Sequence, residues 1–276
     1  VALSSTGTAP ANVPDPFPFR PRYLPLCDDC RVLMDLPLDT AMLIACLLGF
    51  GAGLMRGFSG FGTGMLLAPV YAVLFGPAAT IIMINVMDIA VSAQLIPRAM
   101  RQVQWKFILP LVTATATAMP FGAYILMTVD RDVLTRVIAG LVIVFVVILA
   151  SGWRYNAPKS TGPTIGIGLF AGTLSTSIGV SGPPVLLYIL SGRDPVAVSR
   201  ANIIAFFAVT NFLTLGIMWA NGLMDMSAVV RGVMATPGFM LGAWLGARAF
   251  DPNREKLYRH VALLVLLCVG LYGVLR

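Results

Sequence analysis

Charge is what this sequence is short of. Only 11% of its 276 residues are Asp, Glu, Lys or Arg, against about 25% in a soluble domain. With 58% hydrophobic residues and a mean hydropathy of +0.86, that shortage places the chain in a bilayer. Histidine is scarcer still, with His260 alone. One histidine leaves no zinc-protease or Ser-His-Asp constellation to assemble, and no catalytic set is expected. Of the four cysteines, Cys46 and Cys268 sit in apolar stretches as small core residues. The other two form Cys27-Asp-Asp-Cys30. As a zinc site this pair lacks two further ligands, and it reads as structurally unimportant. No metal or other cofactor is expected. No nucleotide-binding loop occurs either, so ATP-driven transport would require a separate subunit.

Residues 1–37 lack any apolar run of the length a cleavable signal peptide needs. They carry Pro10, Pro14, Pro16, Pro18, Pro21, Pro25 and Pro37, and read as an extended tail without its own core. The net charge of +7 is spread between apolar stretches. No basic domain exists to hold nucleic acid, and membrane topology explains the charge better.

Ten apolar stretches follow the tail: 38–55, 58–75, 77–97, 107–129, 133–153, 162–177, 179–190, 201–220, 232–247 and 261–275. The stretch from Gly49 to Pro69 is Gly-rich and holds Ser59, Thr63 and Arg56. Each glycine weakens a helix and an arginine is costly at membrane depth, so this segment faces something polar. Gly168 to Tyr188 repeats the interruption, with Ala171-Gly172 matching Ala52-Gly53 and Gly179 matching Gly60. Asn202 answers Asn85, and Gly242-Ala243 answers Gly122-Ala123. Paired interruptions in two halves point to a transporter binding site. The expectation is therefore an all-α polytopic membrane protein of two inverted-topology repeats, 38–156 and 157–276. Each would open with a broken helix or re-entrant hairpin.

Twelve of the 19 Lys and Arg residues follow odd-numbered stretches, and Arg131, Arg136, Arg231 and Arg276 follow even-numbered ones. By the positive-inside rule the twelve-residue side is cytoplasmic, which puts both termini outside. Cys27 and Cys30 would then face an oxidising compartment, where a disulfide is possible.

If the two motifs are hairpins, each presents a helix start at the bilayer midplane, where free N–H groups attract anions. Thr63-Gly64 opens the first short helix, and Gly182 precedes Pro183-Pro184 at the second. Ser59, Gly60, Ser175, Ser177 and Ser181 supply hydroxyls and close approach around them; the competing reading is that these small residues serve helix packing alone. Arg56 has a fork suited to an oxyanion, against the alternatives of snorkelling or a structural ion pair. Asp88 is the one acid in the interior of an apolar stretch, Asp39 lying at the edge of the first, and it either carries a proton or pairs structurally with Arg56. Asn85, Gln94, Asn202 and Asn211 are amides at membrane depth that line the site or bond neighbouring helices. His260 reads as a surface residue.

Arg56-Gly-Phe-Ser-Gly-Phe-Gly-Thr-Gly-Met-Leu-Leu-Ala-Pro69, echoed by Ile178-Gly-Val-Ser-Gly-Pro-Pro184, resembles the TauE/SafE (sulfite exporter) family of membrane transporters. The resemblance covers residue 38 to the C-terminus. It implies transport of sulfur-containing anions such as sulfite, sulfoacetate and other organosulfonates in the bacterial inner membrane. The second motif departs from the first, with Gly-Pro-Pro where the first has Thr-Gly-Met, so the two half-sites are not equivalent. The expected function is a secondary transporter of a small sulfur anion by alternating access, with Asp88 as a coupling group if protons drive it. An anion channel or a carrier of small carboxylates is the alternative. The expected partners are that anion and the lipid bilayer, with a homodimer allowed and nucleic acid excluded.

Overall fold

The computed structural model describes residues 40–59, 63–151, 160–191 and 194–248. They form α1 (Thr40–Ser59), α2 (Thr63–Phe75), α3 (Pro77–Ala99), α4 (Trp105–Thr128), α5 (Arg131–Ala150), α6 (Thr161–Ile178), α7 (Gly182–Leu190), α8 (Val196–Ala220) and α9 (Met226–Arg248). One 3-10 turn, Met100–Gln102, follows α3, and no strand occurs among the described residues. Nine of the ten apolar stretches thus fold as helices. The tail 1–37 and the tenth stretch lie outside the described residues.

Four helices carry apolar windows long enough to cross a bilayer: Pro77–Gln94 of α3, Trp105–Thr128, Ala197–Ala220 of α8 and Met226–Arg248. Their outward faces expose large apolar side chains, among them Leu109, Phe121, Phe212, Trp219, Leu241 and Trp244. In water such a surface would associate, whereas in lipid it is the expected one.

Two helix pairs approach each other most closely, and glycine is the reason. On α1, a Cβ at Gly53 or Gly57 would overlap the carbonyl oxygens of Phe239 or Ala243 on α9. Gly242 and Gly246 stand likewise against Phe50 and Leu54. The second pair is α4 with α6, where Gly168 and Gly172 face the Leu111 and Thr115 carbonyls and Gly122 faces Thr173. Lipid removes the hydrophobic drive between helices, so backbone-to-backbone contact of this kind supplies the packing energy. The first helix after the tail therefore packs on the ninth, and the sixth packs on the fourth.

Breaks in the chain are set by backbone chemistry. Gly76 adopts φ +89°, and Pro77 follows at the first turn of α3. A positive φ ends α2, and a proline with no N–H to place starts the next helix. Gly179, at φ +72°, closes α6 in the left-handed region. Buried tyrosines tie each short helix to the helix before it. The Tyr71 hydroxyl of α2 donates to the Ala45 carbonyl of α1 at 2.7 Å. Tyr188 of α7 shares a 2.6 Å hydrogen bond with Thr164 of α6 and donates to the Ser160 carbonyl.

The connections collect at two ends. Gly76, Arg131 and Asp225 line one cavity of about 280 Å³. At the other end the Gln104 backbone N–H donates to Asn202 Oδ1 at 2.8 Å, and Gln104 Nε2 donates to Asp194 Oδ1 at 3.1 Å. Helix α3, with 23 residues and roughly 35 Å of length, runs from the first end to the second.

Gly172→Ala and Gly242→Ala should each destabilise the protein by about 1–3 kcal/mol through overpacking. Gly216→Ala, with nothing within 4 Å of the added methyl group, should be neutral or stabilising. Thermal unfolding of the detergent-purified variants decides this; equal effects at all three positions would rule out close approach as the cause.

Candidate functional site

Arg56 lies in the last turn of α1 with 4% of its surface exposed. A guanidinium stays charged, so the fold must surround it with acceptors. Its Nη1 donates to Asp88 Oδ2 and to Thr63 Oγ1, each at 3.2 Å, and Nη2 donates to Ser92 Oγ at 3.4 Å. The contact with Asp88 is a buried ion pair. The Phe207 ring stands 5.9 Å from the guanidinium carbon and offers its face to the cation. Four helices thus meet on one charge: α1 supplies it, α2 and α3 accept from it, and α8 covers it.

Depth follows from the helix ranges. Asp88 is the middle residue of α3, and Phe207 and Asn211 flank the middle of α8. Both helices are of spanning length, so the charged pair sits at mid-length of the bundle.

Beside the pair is a small cavity of about 30 Å³, room for a water or two. Helix starts border it from two sides, with Thr63 and Gly64 opening α2 and Ser181 and Gly182 opening α7. The two breaks touch: a Cβ at Gly64 would lie 2.6 Å from the Gly179 carbonyl oxygen. The first N–H groups of a helix lack intrahelical partners and carry partial positive charge. Pro183 and Pro184 remove donors at α7, leaving hydroxyls to share the work. Ser175 Oγ, also at the cavity, is within 3.1 Å of Thr214 Oγ1. Asn85 lines the cavity while its Nδ2 donates to the Ile81 carbonyl at 2.7 Å.

Asp88 also meets the Thr63 hydroxyl and the Asn211 amide, whereas the buried Arg56 Nε–H has no hydrogen-bond partner. Native interiors pair nearly all such donors, so this one marks a place where a further acceptor fits.

Of the residues expected from the sequence, Arg56, Thr63, Gly64, Asn85, Asp88, Ser175, Ser181 and Gly182 come together at the cavity. Ser177 does not line it, and its hydroxyl donates to the Thr173 carbonyl at 2.6 Å. Asn202 does not line it either. Its Oδ1 accepts from the Gln104 backbone, and its Nδ2 donates to Gln104 Oε1 at 3.2 Å, at the start of α4. Gln94 is exposed. Gly60, the Ser59 side chain and His260 lie outside the described residues. Ser92 and Phe207 escaped the sequence reading. Ser92 had a signal, because it follows Asp88 by one helical turn on the same face; Phe207 had none.

The sequence profile described as "Sulfite exporter TauE/SafE" matches residues 45–273. The chain belongs to that family. It is similar to a protein of Cupriavidus necator described as "Probable sulfite/organosulfonate exporter TauE", with 28% identity over 244 residues, covering 83% of this chain and 94% of the relative. No solved structure matches the chain. The family is one of membrane exporters, not enzymes, and with the apolar spanning helices it makes the protein an integral membrane transporter.

Replacing Arg56 by Ala would strand Asp88 as an unpaired buried charge, a loss of about 3–5 kcal/mol. Combining Arg56→Ala with Asp88→Asn should recover much of it, as read by thermal unfolding of the two single variants and the double. Strict additivity would mean the two side chains do not stabilise each other.

Proposed function

We propose that the protein is a secondary transporter of small sulfur oxyanions, an organosulfonate such as sulfoacetate or sulfite, working by alternating access. The observation that carries this is the convergence of Arg56 and two helix starts at mid-length of α3 and α8. A planar guanidinium with flanking N–H and hydroxyl donors suits a tetrahedral oxyanion, which offers several acceptors in a compact head. The name of the Cupriavidus relative supports the choice of sulfur.

The architecture read from the sequence, two inverted repeats each opening with a re-entrant hairpin, has support of three kinds. First, α2 with 13 residues and α7 with nine reach only about 20 Å and 14 Å, short of a 30 Å bilayer core. Second, an α2 that continued α1 in line would hold Tyr71 roughly 39 Å from Ala45, yet they are hydrogen-bonded, so α2 turns back along α1. The Tyr188–Thr164 bond imposes the same return on α7. Third, α2 joins α3 at the Gly76 end, whereas α7 joins α8 at the Asp194 end. One hairpin then enters from each side, with the tips meeting at Gly64 and Gly179. Reciprocal packing of α1 on α9 and α6 on α4 fits a two-fold relation between the halves. In this arrangement Arg98, Arg101 and Lys106 lie at the Asp194 end and Arg131 at the other, so the positive-inside rule makes the Asp194 end cytoplasmic. The sequence reading of an inner-membrane protein with both termini external accords with that orientation.

A cavity of about 30 Å³ favours a carrier in a closed state over a continuously open channel. A channel reading predicts conductance that does not saturate at low anion concentration.

Detergent-purified protein should be stabilised against heat by methanesulfonate, sulfite or sulfoacetate, because a ligand of the folded state raises apparent stability by mass action. At 100 times the dissociation constant the gain is about 2.7 kcal/mol. Arg56→Ala should abolish it, and the variant should fail to move labelled sulfonate into liposomes. Stabilisation by matched carboxylates alone would keep the carrier and discard the sulfur substrate.

A further inference from the structure

We infer that Asp88 is the resident occupant of the anion site: a monoanionic sulfur oxyanion replaces it on Arg56, and Asp88 takes up one proton as it leaves. The inference rests on the transport reading above and adds the substrate's charge and the coupled proton to it.

Space is the first argument. The cavity beside Arg56 is about 30 Å³, too small for a sulfonate head. Among the groups on the guanidinium, Thr63 and Ser92 are short neutral hydroxyls and Asp88 is the one anion. Withdrawing that carboxylate frees both the room and the charge the incoming anion needs.

Hydrogen bonding is the second. A fixed structural pair of Arg and carboxylate commonly uses two parallel bonds. Here the contact is a single one, Nη1 to Oδ2 at 3.2 Å. The Arg56 Nε–H is left without a partner though fully buried. The Asn211 amide meets the Asp88 carboxylate, and withdrawal of that carboxylate would release it. Those two donors are what a tetrahedral oxyanion would take up.

Charge is the third. With Asp88 ionised, Arg56 and Asp88 sum to zero. An arriving monoanion would leave the site with one uncompensated negative charge, which is severely penalised in a buried place. One proton on Asp88 restores neutrality, with a single O–H bond formed and Arg56 unchanged. No other titratable group among the described residues lines the cavity. On the elements packed against α3, Tyr71 of α2 donates to the Ala45 carbonyl, and Arg231 and Arg248 of α9 stack on Phe75 and Trp244. Arg101, Arg131, Asp132, Arg136 and Arg200 are exposed, α6 carries none, and the Cys46 thiol of α1 packs in the core. The proton therefore falls to Asp88.

The same sum selects substrates. Alkylsulfonates and hydrogensulfite leave the protonated site neutral. Sulfate and dianionic sulfoacetate leave one negative charge, which ranks sulfoacetate below the monoanionic sulfonates and hydrogensulfite within the transport reading.

The test is binding of methanesulfonate and of sulfate to the full-length protein, followed by calorimetry across a pH series. The expected result is methanesulfonate affinity that falls roughly tenfold per pH unit once the free-site carboxyl is ionised, with uptake of about one proton per anion. Sulfate should bind at least about tenfold more weakly. Infrared difference spectra of the unmodified protein should gain a protonated-carboxyl band on adding methanesulfonate. Asp88→Asn should retain methanesulfonate binding, lose the band and show a flat pH profile. Methanesulfonate bound with no proton uptake and no carboxyl band, or sulfate bound as tightly, overturns the exchange and leaves the transport reading intact. Failure of both anions and of sulfite to bind the folded protein at any pH overturns both.

Discussion

A permanent positive charge held in the middle of a bundle made for lipid is the constraint on which the rest of this structure depends. Arg56 cannot shed its proton, and hydrocarbon offers it nothing. Asp88 neutralises it, Thr63 and Ser92 accept its remaining hydrogen bonds, and Phe207 covers it with a ring face. Supplying those partners from three other helices requires polar residues at mid-length of α3 and a helix start at Thr63 beside them. The interruption between α1 and α2 is then intelligible: an unbroken helix would put neither Thr63 nor free N–H groups at that depth.

Holding those elements in place falls to close backbone contact. Between α1 and α9, and between α4 and α6, glycines bring carbonyl oxygens to where a methyl group would sit. The α1 glycines therefore have a structural function within one helical turn of Arg56, as the packing reading of this motif has it. Gly53 and Gly57 serve packing, and Gly64 lets the first break meet the second at Gly179. Cost and use are separated within one short segment.

Much of this was legible in the sequence because its signals are local and opposed to their surroundings. Arg56 and Asp88 stand out as charges in apolar runs, and the helix breaks are written in glycine and proline. Nine helices fall on nine of the ten apolar stretches, and Arg56, Thr63, Asn85, Asp88, Ser175 and Ser181 line one cavity. Failures came where a residue's partner is distant. Asn202 looks like the counterpart of Asn85, yet the start of α4 claims its amide through Gln104, 98 residues away. Ser177 satisfies itself on its own helix at Thr173. Phe207 is one apolar residue among many in α8, and only the three-dimensional contact singles it out. Positions that match in the sequence of the two halves diverge when one sits in the core and the other at an end of the bundle.

That divergence bears on what each half of the sequence brings to the cavity. Where the first half has Arg56, the second has Ser175, and where the first opens its short helix with Thr63-Gly64-Met65, the second opens with Gly182-Pro183-Pro184. A second guanidinium would have given a site with net positive charge, able to hold a dianion or two anions at once. Prolines at the start of α7 remove backbone donors that would have added to it. What remains is one cation, answered by one internal carboxylate, beside the helix starts at Thr63-Gly64 and Ser181-Gly182. In the transport reading, the cation and its polar partners Thr63, Asp88 and Ser92 all belong to the first half, and the second half contributes the covering Phe207 ring and the helix start at Gly182. In that reading direction comes from the gradients of the anion and the proton, and the steeper of the two decides between export and import.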